Sequence, residues 1–469
     1  MKNLASSRFA LFSAFPKLHS RVLPFLVLFI FCAASSYGQW TSTNLSQAKV
    51  QMGAVASGSK AYFGGGPLGF NYTNVAEIYD IETNTWTTGT LSAARAFPGA
   101  AANGGKVFFA GGVNWTTLAH YANVDIYDTL TQSWSTASLS VPRAYAQGVS
   151  VGNKVLFAGG YKVLGFNPTA LTFYSTVDVY DTGSGTWSVL NLSKARGSMG
   201  VAVADDLVFF AGGQTSVSAV TDQVDIYNNT TGTWSTAKLS EPRGFCAAAR
   251  AGKYVLIAGG VKNDNTPSDR VDIYNLETGA WSTASLSEPR CFSTMGASAC
   301  GKAFFAGGGA LDLPTFLFES FSKQVDIFDA ATGQWSTDKL SKAVTNHSVL
   351  GLKNHVLAAG GINGNVTYKS VDIFTCQSVG INEATGAGAF LEVFPNPVSE
   401  NLFLTIDPKF GNSGCTVQCT DWSGRLVAQF ECPAGSTTAI NVAGWRAGMY
   451  WIKVSGNNHI ATGRFVKME

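Results

Sequence analysis

Three stretches of this chain are nearly the same phrase: VDIYDTLTQSWSTASLSVPR at 124–143, VDIYNNTTGTWSTAKLSEPR at 224–243 and VDIYNLETGAWSTASLSEPR at 271–290. A short unit of this kind cannot bury a hydrophobic face by itself. It does so by stacking on copies of itself, so the repeat constrains the architecture more than composition does.

Three marks recur in fixed order. An apolar run ends in Gly-Gly seven times, from Gly65-Gly66 to Gly360-Gly361. An alternating segment with an acid follows (AEIYD at 76–80, VDIYD at 124–128 and so on to VDIF at 371–374), and a Trp closes the unit at 86, 134, 187, 234, 281 and 335. Val-Asp-Ile-Tyr alternates sides as a strand with two unlike faces must. TGTW and TGAW place Gly in a tight turn before the next strand. Each unit therefore supplies four short strands; in the fifth they are read as 243–250, 253–259, 270–274 and a strand around Trp281.

Counted from Trp40, the Trp-to-Trp gaps are 46, 48, 53, 47, 47 and 54. The seventh unit ends at Cys376 with no Trp after it, while Trp40 stands before the first unit with no unit of its own. The expectation is a closed ring of seven four-stranded sheets, with 40–43 supplying the outer strand of the last one. Closure leaves no long exposed sheet edge. The Gly-Gly, Tyr and Trp marks at this spacing resemble kelch repeats over about 40–376. The resemblance implies an all-β fold, a seven-bladed kelch-type β-propeller.

After Cys376 the vocabulary changes. QSVGINEATGAGA (377–389) has no pattern and reads as a linker, and a strand-rich module of about 80 residues follows, read as a small C-terminal β-sandwich. The ordered set Pro395-Asn396-Pro397, LFLTI, DWSGRLV (421–427), AGMYWIKV (447–454) and GRFVK (463–467) resembles the C-terminal sorting domain of the type IX secretion system of Bacteroidota. That resemblance implies an address on 390–469 read by the secretion machinery, with the product released or held at the cell surface. The N-terminus fits export: basic residues up to Arg21, the apolar run 22–34, then small residues. Residues 1–38 are read as a signal peptide cut near Gly38, and the apolar run is too short to span a membrane. The propeller is then 39–376.

The four charged residues of the first 38 are all basic, which leaves 28 basic against 30 acidic in the remainder. No excess points to nucleic acid. Seven cysteines remain after 38, an odd number without CxxC or zinc-ligand spacing. One bridge among Cys415, Cys419 and Cys432 is an open reading in an oxidising compartment.

The sequence carries little that looks catalytic. Some kelch-type propellers, the galactose oxidase type, hold copper with two Tyr and two His; His120, His347 and His355 are too scattered here to match that set. The inner strands read RAFPGAAAN, RAYAQGVSV, RGFCAAARA and the like, without Asp or Glu, so no carboxylate pair lines the channel. No GxSxG, phosphate loop or HExxH occurs. No catalytic residue, metal or cofactor is expected, and the chain is expected to be a monomer.

Two features remain. Lys49, Arg95, Arg143, Arg196, Arg243 and Arg290 fall at one point of successive units, with Val344 breaking the series. They could form an anion site, but seven acids (Glu77, Asp125, Asp178, Asp225, Asp272, Asp326, Asp372) start strands on the same face, so a structural ring of ion pairs is the favoured reading. Between Gly-Gly and the acid the loops hold 10, 12, 17, 11, 11, 17 and 10 residues. The long ones, 161–177 and 309–325, carry Tyr161, Phe166, Phe173 and Tyr174, and Phe316, Phe318 and Phe321; blade 2 adds Trp115 and Tyr121. Aromatic insertions on one face of a rigid ring are the expected binding surface, for a glycan or protein ligand outside the cell. The alternatives are an exported carbohydrate-active enzyme, oxidase or lyase, and an adhesive surface component.

Overall fold

A computed structural model describes residues 39–468 except 69–70, 164–169, 292–295, 314, 316, 377–390, 411–414, 422–424 and 458. The proposed signal peptide and linker, Phe166 and Phe316 lie outside the described residues.

Residues 39–376 form seven four-stranded antiparallel sheets. In blade 2 the strands run Gly99–Asn103, Lys106–Ala110, Asn123–Asp128 and Ser133–Ser138, from the channel outwards. In blade 7 the outer place is taken by Gln39–Asn44, antiparallel to Ser370–Thr375 with Trp40 opposite Phe374. The first described strand thus closes the last blade, as the count of tryptophans requires. Trp40 packs edge-on against Phe374 at 5.2 Å and donates its indole N–H to Asp338 at 2.7 Å.

The hydrophobic core lies between blades. Tyr62 and Ile78 of blade 1 meet Val107 and Phe109 of blade 2, and the same kind of layer joins blade 7 to blade 1 through Leu350, Leu357, Met52 and Phe63. The Gly-Gly pairs hold these layers at the loop face. The second glycine donates its N–H to the carbonyl of the next blade's cation position, as Gly112 does to Arg143 at 2.9 Å. Gly361 to Lys49, at 3.2 Å, carries the pattern across the closure. A Cβ on Gly111 would lie 2.4 Å from the Arg143 carbonyl oxygen, and one on Gly360 2.3 Å from that of Lys49. Both also hold positive φ, so glycine is required there twice over.

Two sequence expectations need correction. The inner strand of blade 5 is Ala247–Ala251 and does not begin at Arg243. Residues 243–246 form the crossing from blade 4, with Gly244 bridged to Val261 and Phe245 at φ 54°, and a left-handed residue cannot continue a strand. The disulfide is Cys300–Cys376, whereas Cys415, Cys419 and Cys432 are free. Cys300 sits at the inner hairpin turn of blade 6 and Cys376 at the end of blade 7's third strand, which adjacent blades bring together. Cys415 and Cys432 are register partners with sulfurs 3.3 Å apart, unbonded.

Residues 391–468 form a three-stranded sheet (Leu391–Phe394, Asn401–Ile406, Thr437–Asn441) and a four-stranded one whose central strands are Cys415–Asp421 and Gly448–Gly456. Leu402, Leu404, Val417, Ile452 and Phe465 fill the core of this module.

Candidate functional site: the loop-face cavity

Each unit enters its blade through a crossing that begins at the cation position. Lys49, Arg95, Arg143, Arg196, Arg243 and Arg290 are at most 1% exposed. Each meets the acid of its own blade's third strand: Lys49–Glu77, Arg143–Asp178 and Arg196–Asp225 at 2.7 Å, Arg95–Asp125 at 2.5 Å, and Arg243–Asp272 and Arg290–Asp326 likewise paired. The second carboxylate oxygen is used as well. Ser92 N–H donates to Asp125 at 2.8 Å and Ser140 N–H to Asp178 at 2.8 Å, so the acid grips the chain where it crosses between blades. The guanidinium in turn donates to strand carbonyls, as Arg143 does to Gly159 at 2.7 Å and Phe157 at 3.0 Å. Burial lowers the Arg143, Arg196 and Lys49 pKa values, with the paired carboxylates pulling the other way. All six cations are thus buried and paired with a carboxylate of their own blade. In blade 7, Val344 takes the cation's place and Asp372 accepts from Ser341 N–H and Oγ–H at 2.9 and 3.0 Å.

Two residues beyond the cation position the chain behaves differently. Gln51, Phe97, Tyr145, Ser198, Phe245 and Asn346 all have φ between 51° and 56°. Left-handed backbone at a non-glycine residue is costly, and six instances at one repeat position show that the fold imposes it. The geometry links crossing to crossing: Gln51 N–H donates to Asn346 carbonyl at 2.9 Å, Phe97 to Gln51 at 2.9 Å and Phe245 to Ser198 at 2.8 Å. The Gln51, Phe97, Tyr145, Phe245 and Asn346 side chains are brought to the channel mouth, whereas Ser198 is buried. Unlike the buried cations, they differ from blade to blade.

Above them the loops after Gly-Gly rise as two-stranded ribbons, among them Val113–Asn114 with Ala119–His120, Tyr161–Val163 with Leu171–Phe173, and Leu311–Asp312 with Leu317–Phe318. Ring and ribbons enclose an open cavity of about 280 Å³. Its aromatic lining is Phe97, Trp115, Tyr145, Tyr161, Phe245 and Phe318; its polar lining is Gln51, Asn346 and Thr315. A narrower space of about 80 Å³ continues below between the inner strands, sharing Gln51, Phe97 and Tyr145 with it.

The rings on one side are stacked. Phe97 and Tyr145 lie 3.9 Å apart at 24°, Tyr145 and Tyr161 4.9 Å apart at 18°, and Phe173 backs Tyr161 at 5.4 Å. Trp115 meets His120 edge-on at 6.0 Å, and His120 Nε2 accepts the Val163 N–H at 3.3 Å, tying the blade 2 ribbon to the blade 3 ribbon. Burial lowers the His120 pKa, which keeps that acceptor neutral. Burial also raises the pKa values of the Tyr145 and Tyr161 phenols. The lining residues thus carry no charge at neutral pH.

Of the aromatic residues expected from sequence, Trp115, Tyr161 and Phe318 line the cavity and Phe173 stands behind it. Tyr121, Tyr174 and Phe321 are not among the lining residues. Tyr121 and Tyr174 sit at the feet of their ribbons, where their carbonyls accept from Arg143 and Arg196 N–H at 3.2 Å. Sequence reasoning missed Gln51, Phe97, Tyr145, Phe245 and Asn346. A signal was present: RAF, RAY, RGF and RCF place an aromatic two residues after the cation. The left-handed turn that lifts it out of the strand could not be read. Among the described residues no group of three or more His, Cys, Asp or Glu is placed to hold a metal ion, and no helix is long and apolar enough to cross a membrane.

Comparison with known proteins agrees with this architecture. The kelch motif matches at 94–138 and 242–285, and the secretion system C-terminal sorting domain matches at 392–468. The solved structure of YjhT, a kelch propeller, superposes with a TM-score of 0.50 at 14% identity, covering 63% of this chain and 99% of that one. No curated protein matches the sequence. Kelch motifs on a propeller and a sorting tail are therefore both present.

Proposed function

From a kelch-motif ring followed by a secretion sorting domain, we propose that this protein is an exported binding module whose loop-face cavity holds an extracellular ligand, carbohydrate or protein. The sorting domain at 392–468 indicates export, to the cell surface or beyond it. In this reading 1–38 is the export signal, 39–376 the working ring, 377–389 the linker and 390–469 the address. The observation that carries it is the cavity itself. Its walls come from positions where the repeat varies, Phe97 and Tyr145 on the ring and Trp115 and Phe318 on the ribbons. A pocket with a mostly apolar lining and a few polar groups, on a rigid scaffold, is the usual form of a small-ligand site.

Shortening both long loops, 161–177 and 309–325, to the length of the blade 4 loop tests the assignment. Screened on glycan and protein arrays, the intact chain is expected to retain a ligand that the shortened chain loses, with both folded by circular dichroism. Equal binding by the two proteins would move the site off this face.

A further inference from the structure

Resting on the binding-module reading above, we infer that the loop-face cavity takes one uncharged sugar residue, its C–H face against the aromatic rings and its hydroxyls on the amides of Gln51 and Asn346. The cavity is divided. Gln51 of blade 1 and Asn346 of blade 7 are neighbours, joined by the 2.9 Å backbone hydrogen bond, and form a polar sector. Phe97 and Tyr145 follow on blades 2 and 3 as a stacked aromatic sector, backed by the buried Tyr161. A pyranose has the same division: C–H groups that pack on the negative face of an aromatic ring, and a rim of hydroxyls that both donate and accept.

The amides are uncommitted. Both side chains are half-buried, and among the described residues neither makes a side-chain hydrogen bond; only their backbones are paired. An amide brings one acceptor and two donors, so two adjacent amides match adjacent hydroxyls. An aromatic or aliphatic peptide side chain would suit the rings but leave both amides without partners, at a desolvation cost.

Charge is excluded from the same place. None of the lining residues is ionised at neutral pH. The Asp312 carboxylate on the ribbon is engaged by Asn265 at 3.2 Å and by the Thr315 hydroxyl. A uronate or sialic acid carboxylate seated here would be desolvated without a cation. The volume of about 280 Å³ suits a single ring, with any further sugars leaving through the open mouth.

The test uses the exported full chain on an array carrying hexose- and N-acetylhexosamine-terminated oligosaccharides, uronate- and sialic acid-terminated oligosaccharides, and peptides. Neutral glycans are expected to bind. Gln51→Met keeps the length of the side chain and removes its hydrogen bonds; Trp115→Ala removes a ring at the rim. Each is expected to weaken binding at least tenfold with the melting temperature unchanged. Preference for acidic glycans, or full binding by Gln51→Met, would overturn the assignment. Binding to peptides alone would overturn it while leaving the binding module standing. No binding to any probe would overturn both.

Discussion

Arg143 and Tyr145 are two residues apart in one crossing, and they do opposite work. Arg143 is the member of a series that repeats in every blade but the seventh. It is fully buried and paired to Asp178. Tyr145 belongs to a series that reads Gln, Phe, Tyr, Ser, Phe and Asn at 51, 97, 145, 198, 245 and 346, and it stands at the cavity. Repetition marks what seven blades need in common to pack. Variation at a position held in one backbone conformation marks what the fold leaves free for recognition.

The comparison can be broken hardest at the buried series. Arg290→Met strands the Asp326 carboxylate in the interior, so the variant should lose roughly 3–5 kcal/mol of unfolding free energy, read by denaturant titration, with ligand affinity little changed in the folded fraction. Blade 7 has Val344 at the cation position, and its third strand is tied to blade 6 by Cys300–Cys376 across a sequence separation of 76 residues. Replacing both by Ser should cost up to about 4.5 kcal/mol on loop-closure entropy, measured against the oxidised protein; a loss limited to reducing conditions in the parent would confirm the cause.

His347 sharpens the comparison within blade 7. It takes the place that Met199 holds in blade 4, buried against Gly307 and Gly361, near the Ala306 carbonyl but without a hydrogen bond of good geometry. Burial pushes its pKa down to about 4 from an ordinary value of 6.5. The unfolded chain therefore binds the proton first. Stability is complete above pH 6.5 and falls as pH drops towards 4, by about 3 kcal/mol at 1.36 kcal/mol per unit. His347→Met should remove that share of the acid sensitivity, and a parallel pH dependence in the variant would assign it to other groups. The smallest effect on folding belongs to the varied series. Phe318→Ala, at a partly buried ring packed on Leu311 and Leu313, should cost about 1 kcal/mol, while weakening whatever the cavity binds.

Much of this ring was legible in the sequence because its determinants repeat. Seven Gly-Gly pairs and seven acids count the blades, and the unmatched Trp40 names the strand that closes them. Matched acids and cations in fixed register point to one another before any coordinates. The cavity was legible only in part. Trp115, Tyr161 and Phe318 announce themselves by sitting in loops that interrupt the repeat. Phe97 and Tyr145 look like the start of an inner strand, because nothing local forces positive φ at a Phe or Tyr. The crossing imposes it through bonds to the preceding blade. Cys300 and Cys376 were unreadable as partners for a related reason: two sites so far apart in sequence meet only because consecutive blades lie side by side.

The most direct measurement crosses the two series. Melting temperature and glycan affinity are determined together for Arg290→Met and Gln51→Met. The account predicts a large drop in melting temperature with near-normal affinity for Arg290→Met, and normal melting with at least tenfold weaker affinity for Gln51→Met. The reverse pattern, or one in which both variants lose affinity at unchanged stability, would contradict it and return the buried cations to the binding site.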